Sequence, residues 1–179
     1  MAETERLPAA SHHRIRRRLD RDLDACVLVL AAVHEQDGYP LNWPANPHSW
    51  LTRRALLAAW VAEQNGQIVG HIGLSRGTEH DAAAALWSAR EGQDPDGTAV
   101  ISRLFVCPAA RGHGLGAALL DRALSEARSR ELQPVLDVVA SDTSAVALYE
   151  RSGWRLLATV DQQWDPHQTV TLHCYTARA

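Results

Sequence analysis

The most constraining feature of this sequence is a strand, a glycine-rich loop and a helix in direct succession. Ala99–Val106 is a mainly apolar run that stops at Cys107-Pro108, which predicts a strand. The glycine-rich segment Arg111–Gly116 follows it, and apolar side chains then recur every four residues, which predicts a helix within Ala110–Glu131. Glycines let a ligand approach the backbone closely, and the free N–H groups at a helix start favour an anion. The unit therefore predicts a loop that binds phosphate or diphosphate.

Two common phosphate-binding loops fit this segment poorly. A P-loop ends in Gly-Lys-Ser/Thr, whereas Gly116 is followed by two alanines. A dinucleotide fingerprint fits better, because the glycines and Ala117 match G-x-G-x-x-A and Asp137 lies 20 residues beyond Ala117. That fingerprint turns directly out of its strand, however, and here Cys107–Arg111 intervene. Both interpretations are therefore disfavoured.

A third pattern fits both the loop and its context. Arg111-x-x-Gly114-x-Gly116 resembles the R/Q-x-x-G-x-G/A motif of the GNAT superfamily of N-acetyltransferases. Residues 104–120 (LFVCPAARGHGLGAALL) and 145–154 (AVALYERSGW) are similar to two longer passages of that family, L-x-V-x-P-x-x-R-G-x-G-x-G and A-x-x-L-Y-x-x-x-G-F. The resemblance implies the fold of that family and acetyl-CoA as its co-substrate.

The rest of the chain predicts strands and helices around this unit. Asn65-Gly66 between two apolar runs is a strong hairpin signal, and Asp37–Pro47, with three prolines, is expected to be a loop. The fold class is therefore α/β (α+β), with a GNAT-like mixed, mostly antiparallel sheet of about seven strands and helices on both faces. The further predicted strands are His13–Leu19, Leu56–Glu63, Gln67–Ser75, Pro134–Ser141, 154–160 and 169–177. Four further helices are predicted: one with Asp20 as its N-cap, one that begins near His48, one over Ala82–Arg90 and one over Asp142–Gly153. In the first strand we expect Ile15 to point inward and the arginines to face water.

Length, charge and cysteine content disfavour several other classes of protein. The 179 residues fit one domain, which we expect over residues 11–179 after a disordered tail at 1–10. The net charge of −3 argues against nucleic-acid binding. The longest uncharged apolar run, Ala25–Val33, is far shorter than the about 20 residues that cross a membrane. Three cysteines without a CxxC pair predict no metal site. We also expect the protein to be cytoplasmic and to be a monomer or a homodimer.

The resemblance also implies which residues bind acetyl-CoA. The edge of the strand before the loop would pair with the pantetheine arm, and the loop N–H groups would hold the diphosphate. Asp142 stands where the family commonly has an Asn on the cofactor side, and it brings a negative charge close to a polyanion. The implied cofactor-binding residues are Leu104, Phe105, Val106, Arg111, Gly112, His113, Gly114, Leu115, Gly116 and Asp142.

Tyr149 is the catalytic residue that the resemblance implies. It would lie near the acetyl thioester and protonate the departing CoA thiolate. Reference pKa values of about 10 for tyrosine and about 8.5 for a thiol make that transfer uphill by only about 2 kcal/mol. From the residues alone, Tyr149 more simply packs with Leu148 against the sheet.

The acceptor side of the predicted site is less specified. Tyr39, Trp43 and Trp50 border the loop where acceptors of this family enter, and aromatic rings there could enclose an amine. The alternative is that these rings form a small apolar cluster under a long loop.

A general base is not evident in the expected place. Several family members carry a Glu on the strand before the loop, and this chain offers only Ser102 and Arg103. Glu63, His71 and Asp137 lie on strands predicted to flank the cleft and are the candidate bases. An isolated histidine such as His71 is more often a hydrogen-bonded structural residue.

Together these features predict an enzyme that moves the acetyl group of acetyl-CoA to a primary amine of a small molecule or peptide. The attack would be direct, within a ternary complex and without a metal. Cys107 lies beside the loop but has no evident His-carboxylate pair, so an acyl-cysteine is not specified. The alternative is a CoA-binding regulatory domain without turnover, which the missing Glu and the presence of Asp142 favour.

Overall fold

The computed structural model of the protein describes residues 12–178, and the predicted tail at 1–10 lies outside this range. Seven strands of these residues form one sheet. The strands are β1 (His13–Arg17), β2 (Leu56–Gln64), β3 (Gln67–Arg76), β4 (Thr98–Val106), β5 (Gln133–Val139), β6 (Arg155–Asp165) and β7 (Gln168–Thr176). The α-helices are α1 (Leu23–Asp37), α2 (Pro47–Leu51), α3 (Ala82–Glu91), α4 (Leu115–Ser129) and α5 (Thr143–Arg151).

The strand order is β1-β2-β3-β4-β5-β7-β6. Only β4 and β5 pair in parallel, and the other five pairings in the described sheet are antiparallel. The connection between the parallel pair runs through the glycine-rich loop and α4, as a crossover helix requires. The prediction of a mixed, mostly antiparallel sheet of seven strands is therefore confirmed.

Helices cover both faces of the sheet, as predicted. Neighbouring residues of a strand point to opposite faces. On β4, Ile101 packs in the cluster that contains α4 and α5 side chains, whereas Val100 packs with α3. Phe105 packs with α1 and α2. One layer is therefore formed by α4 and α5, and the other by α1, α2 and α3.

Helix α4 supplies much of the larger core. Its buried positions repeat at three- and four-residue spacings, so one stripe of the helix faces the sheet. Burying each leucine of that stripe contributes roughly 1.5–3 kcal/mol to the hydrophobic stabilisation. The buried residues of this stripe are Leu115, Leu119, Leu120, Ala123, Leu124 and Ala127. Its N-terminus is therefore held at a defined place beside β4.

The sheet opens between β4 and β5. These strands pair only over Thr98–Val100 and Gln133–Val135, and then diverge. We call the gap between Ile101–Val106 of β4 and Leu136–Val139 of β5 the β4–β5 opening. It leaves one edge of the second half of β4 without a strand partner in the described sheet.

A β-bulge lies on the other side of β4, toward β3. The register steps from His71↔Phe105 to Gly73↔Ser102, so β4 contains one extra residue here. Arg103 lies inside this step and has a φ of 54°, which is uncommon for a residue with a side chain. The bulge therefore changes the direction of β4 beside the opening.

Several local predictions are confirmed. Asn65 and Gly66 have φ values of 51° and 80°, as a two-residue hairpin turn between β2 and β3 requires. The short helix predicted over Ala82–Arg90 is α3. The Asp142 carboxylate caps α5 by accepting from the backbone N–H of Ala145 at 3.0 Å.

Two predicted element ends are wrong. The first strand ends at Arg17 rather than Leu19, and Asp20 is not an N-cap, because 20–22 form one 3-10 turn before α1. Helix α4 begins at Leu115, within the predicted Ala110–Glu131 and after Gly112 and Gly114, whose φ values of 81° and 73° a helix does not allow.

The arginines of the first strand do not all face water, contrary to the prediction. Arg16 contacts Asp22 and Glu63, each at 2.6 Å, and Arg18 reaches His71.

No helix within residues 12–178 is both long enough and apolar enough to cross a membrane.

Candidate functional site

The loop before α4 presents a row of free backbone donors. Pro108–Ala110 form one 3-10 turn, Arg111 is extended, and Gly112 and Gly114 adopt left-handed conformations. Within the described chain, none of the backbone N–H groups from Gly112 to Ala117 donates to another protein group. Donors at a helix N-terminus carry a partial positive charge, so this geometry suits an anion with several oxygens.

Side chains hold this loop against the rest of the fold. The Arg111 guanidinium donates to the Val106 carbonyl at 3.1 Å and forms an ion pair with Asp37 at the end of α1. His113 Nδ1 lies 3.2 Å from the Ala110 carbonyl oxygen. Leu115 is buried in the core, so only its backbone N–H can contact a ligand. A Cβ added to Gly116 would make ordinary contacts, including one of 3.5 Å with Leu148 of α5.

The strand edge beside this loop is open to a ligand. Val106 and Phe105 pair with Gly70 and His71 of β3, so one edge of β4 is occupied. The other edge faces the β4–β5 opening, where β5 has diverged. Leu104 and Val106 are half-buried against the main core, and Phe105 is buried among α1 and α2 side chains. An extended ligand arm could pair with this edge.

Tyr149 lies on α5 with its ring in the core. It is 7% exposed and contacts the rings of Trp154 and Tyr175, at centroid distances of 6.1 and 6.2 Å. Within residues 12–178 its hydroxyl makes no hydrogen bond. Burial raises the pKa of Tyr149 above its usual range, and nearby Tyr39 and Asp142 raise this pKa further. The hydroxyl therefore keeps its proton at neutral pH and has it available to donate.

Two of the three aromatic residues predicted on the acceptor side lie together. The Tyr39 ring is 6.2 Å from that of Trp50 and 6.5 Å from that of Phe105. Both residues pack against the small apolar cluster formed with α1, as the apolar-cluster alternative predicts, and their role toward an acceptor stays a prediction. Trp43 lies apart, 41% exposed and against His34. The structure therefore brings Tyr39 and Trp50, but not Trp43, next to β4.

His71 cannot serve as a base in this structure. Its Nε2 lies 2.9 Å from Arg18 Nη1, and its Nδ1 lies 2.9 Å from the Arg103 carbonyl oxygen. An arginine only donates, so Nε2 must accept and Nδ1 must carry the proton. Burial, together with the two arginines, lowers the pKa of His71 to about 3. The lone pair of Nε2 therefore already accepts from Arg18 and cannot take the proton of an amine.

The other two candidate bases are also engaged. Glu63 accepts from Arg16 on the β1–β2 side of the sheet. Asp137 accepts from the backbone N–H of Ala83 at 2.7 Å, and the Cys174 thiol is close enough to influence the pKa of Asp137. Burial raises the pKa of Asp137, but its contacts are with α3 and β7. Each of the three therefore already accepts at least one hydrogen bond from a protein donor.

Arg103 is the functional candidate that the sequence analysis missed. Its guanidinium carbon lies 4.4 Å from the ring centroid of Trp50, and Nη1 donates to Ser102 Oγ at 3.0 Å. Desolvation lowers the pKa of Arg103 to about 10, so it is still charged at neutral pH. A signal was present: Ser102 and Arg103 are adjacent polar residues in an otherwise apolar strand.

A cleft of about 440 Å³ lies where the loop after α1 meets the start of β7. Asn42 Nδ2 donates to Gln168 Oε1 across this junction at 2.7 Å. Leu41 in its wall is two residues from Tyr39 in the sequence, and Ser141 directly precedes Asp142. The lining residues are Leu41, Val139, Ala140, Ser141, Gln168, Thr169, Val170 and Thr171.

Metal ligands and a catalytic thiol are not assembled in this region. Among the described residues, no three His, Cys, Asp or Glu side chains are arranged to hold a metal ion. Cys107 is half-buried at the start of the loop, and its backbone groups bond to Val69 and Ala110.

Comparison with known proteins identifies the family. The model of the acetyltransferase (GNAT) family matches residues 21–154. The chain is also 33% identical over 135 residues to the mycothiol acetyltransferase of Beutenbergia cavernae. That match covers 68% of this chain and 46% of the relative, so the chain spans about half the length of that protein.

Solved structures of low sequence identity share the fold. An N-acetyltransferase from Staphylococcus aureus Mu50 is 20% identical with a TM-score of 0.69, over 93% of this chain and 98% of that chain. A GNAT family acetyltransferase from Brucella melitensis in complex with acetyl-CoA is 20% identical with a TM-score of 0.61, over 94% of this chain and 90% of that chain. Both support the described sheet topology.

Proposed function

This chain belongs to the GNAT family of acetyltransferases, and we propose that it transfers the acetyl group of acetyl-CoA to a primary amine. One observation carries the proposal: the free N–H groups of Gly112–Ala117 lie directly beside the unpaired edge of β4. Such a pair of features suits a ligand with a diphosphate at one end and an extended amide-containing arm at the other. Acetyl-CoA has both parts.

The residues present fit acetyl-CoA at each part. The diphosphate would accept from the loop N–H groups, for which left-handed Gly112 and Gly114 leave space, since a Cβ at either would meet nothing within 4 Å. The pantetheine amides would pair with Leu104–Val106. Asp142 caps α5, and in this proposal its charge would oppose the polyanion. Binding would therefore depend on backbone donors rather than on an excess of cationic side chains.

Acetyl-CoA supplies an activated acetyl thioester when it is bound. In the overall transfer a C–N bond to the acceptor forms and the C–S bond breaks, the amine loses a proton and the CoA sulfur gains one. Tyr149 holds a proton for the departing sulfur. Burial weakens Tyr149 as an acid, but the same apolar surroundings raise the pKa of a thiol, so the difference between the two groups stays small.

The proton of the amine leaves through water in this proposal. His71, Glu63 and Asp137 each already accept from a protein donor. An amine with a pKa near 10 is mostly protonated at neutral pH, so its neutral fraction is the reactive form. Turnover should therefore rise with pH until the amine is neutral, since burial keeps the Tyr149 proton in place over that range.

The acceptor would be a small molecule or a peptide with a primary amine, entering through the cleft at Leu41 and Gln168. Residues 11–179 as one domain, a cytoplasmic location, and a monomer or homodimer stay predictions.

Thiol release from acetyl-CoA tests the enzyme proposal against the regulatory alternative. We expect release that depends on an added amine and saturates with acetyl-CoA. CoA binding without release above buffer hydrolysis, for every amine in a broad panel, would identify a binding domain instead.

A further inference from the structure

We propose that Arg103 binds a carboxylate of the acceptor, so that the preferred acceptors are amines that also carry a carboxylate. This inference rests on the proposed acetyl transfer and names the acceptor class for the same site. The evidence is the charge of Arg103, its lack of a carboxylate partner among the described residues, its strained backbone and its place in β4.

Arg103 is a desolvated cation without a carboxylate partner. Within residues 12–178, no Asp or Glu oxygen lies within 4.0 Å of its guanidinium nitrogens. The partly buried Arg16 and Arg53 differ in this respect, because they pair with Asp22 and Asp81. Arg18 also has no carboxylate partner within residues 12–178, but it binds His71 and the Leu51 carbonyl instead. A desolvated charge is costly unless it is paired. The missing anion is therefore the natural complement of this site.

The guanidinium is held in place but keeps a free donor. The Trp50 ring lies at 4.4 Å, and Ser102 Oγ accepts from Nη1. Nε is buried without a partner, whereas Nη2 is neither buried nor hydrogen-bonded in the described chain. A carboxylate would form a charge-assisted hydrogen bond with Nη2, which is stronger than a neutral one. Ordering by Trp50 reduces the side-chain entropy that binding would otherwise cost.

The backbone at Arg103 is strained and supported from outside β4. Its φ of 54° is unfavourable for any residue with a Cβ. The carbonyl of Arg103 accepts from His71 Nδ1, and His71 is in turn fixed by Arg18, which also donates to the Leu51 carbonyl at 2.8 Å. Strained residues that are held in this way cluster at functional sites. The contacts explain why the guanidinium has one defined position.

The position of Arg103 suits an acceptor group. It directly precedes Leu104–Val106, the edge proposed for the pantetheine arm, and Tyr39 is close enough to influence its pKa. A carboxylate held here would place an amino group a few bonds away near the thioester. An amine without a carboxylate would leave the Arg103 charge unpaired in the complex.

Matched acceptors test this inference without any variant. The pairs are glycine with methylamine, β-alanine with ethylamine and γ-aminobutyrate with propylamine. Because the carboxylate also changes the pKa of the amine, kcat/KM is compared for the neutral amine fraction. We expect thiol release with kcat/KM higher by roughly tenfold or more for the carboxylate member of at least one pair. Release from acetyl-CoA with no such preference in any pair would overturn the inference while leaving the proposed function intact. No release with any amine, despite CoA binding, would refute both.

Variants then assign the preference to Arg103. Arg103→Asn is chosen because asparagine tolerates positive φ better than most residues. We expect it to bring the carboxylate preference, measured as the ratio of kcat/KM within each pair, close to one. Arg54→Asn removes an exposed arginine from the segment after α2 and is the matched control, with the preference retained. A preference that survives Arg103→Asn would overturn the assignment.

Discussion

Replacing His71 with glutamine should flatten the dependence of stability on pH. His71 is fully buried, and in the folded protein its pKa is lowered to about 3 by burial and by the neighbouring arginines. In the unfolded chain its pKa returns to about 6.5. Below that pH the unfolded state binds one more proton than the folded state at this residue. Stability from His71 is therefore complete above about pH 6.5 and is lost as the pH falls toward 3.

The size of the effect follows from the two pKa values. Each pH unit between them costs about 1.4 kcal/mol of the free energy of unfolding. From about pH 7.5 to about pH 5 the loss integrates to about 2 kcal/mol, because the first unit lies mostly above the unfolded-state pKa. The pKa of Asp22 is lowered, which adds a loss of the same sign, and the raised pKa of Asp137 opposes it. The comparison with His71→Gln cancels these carboxylate contributions.

Urea denaturation at a series of pH values measures this dependence. The free energy of unfolding of wild-type protein should fall by about 2 kcal/mol more than that of His71→Gln over this range. His80→Gln, at an exposed histidine, should behave like wild type. Equal slopes for wild type and His71→Gln would mean that His71 is accessible and titrates normally, and it would then become a candidate base again.

Two further substitutions test individual residues of the site. Tyr149→Phe should lower kcat by roughly a hundredfold or more with CoA affinity unchanged, because a proton donor is lost while the ring stays; an unchanged rate in the thiol-release assay would remove its proposed role. Asp142→Asn keeps an oxygen for the α5 cap but removes a negative charge beside the polyanion. We therefore expect the Kd for CoA, measured by calorimetry, to fall a few-fold. A rise in this Kd would show that Asp142 makes a favourable contact.

Local sequence signals were sufficient for most of the architecture. The Asn65-Gly66 turn, the Asp142 cap and the apolar stripe of α4 each depend on residues close together in the chain. The loop before α4 was located for the same reason, because its glycines lie directly between the predicted strand and the predicted helix in the sequence. The end of the first strand and the start of α1 were misplaced, because no local pattern shows the 3-10 turn at Asp20–Asp22.

The features that were not predicted depend on contacts between distant residues. Arg18 follows β1 and His71 lies on β3, so β2 separates their strands in the sheet. No local sequence pattern predicts a contact between them. The bulge at Arg103 arises from the register of β3 against β4. Tyr39 and Trp43 are four residues apart, yet one packs near β4 and the other against His34. Register and loop packing therefore decide which polar residue becomes part of the site.

Calorimetric binding of CoA and of pantetheine, which lacks the diphosphate and the phosphorylated adenosine, tests the role of the loop most directly when it is combined with two loop variants. Two charge-assisted hydrogen bonds of roughly 1.5 kcal/mol each would make CoA bind about a hundredfold more tightly. Gly114→Gln and Gly114→Glu impose the same left-handed strain at this position and differ in charge, so we expect the Gln variant to keep a clear preference for CoA and the Glu variant to lose it. Equal affinities of wild-type protein for CoA and pantetheine, or equal CoA affinities of the two variants, would contradict a diphosphate site at Gly112–Ala117.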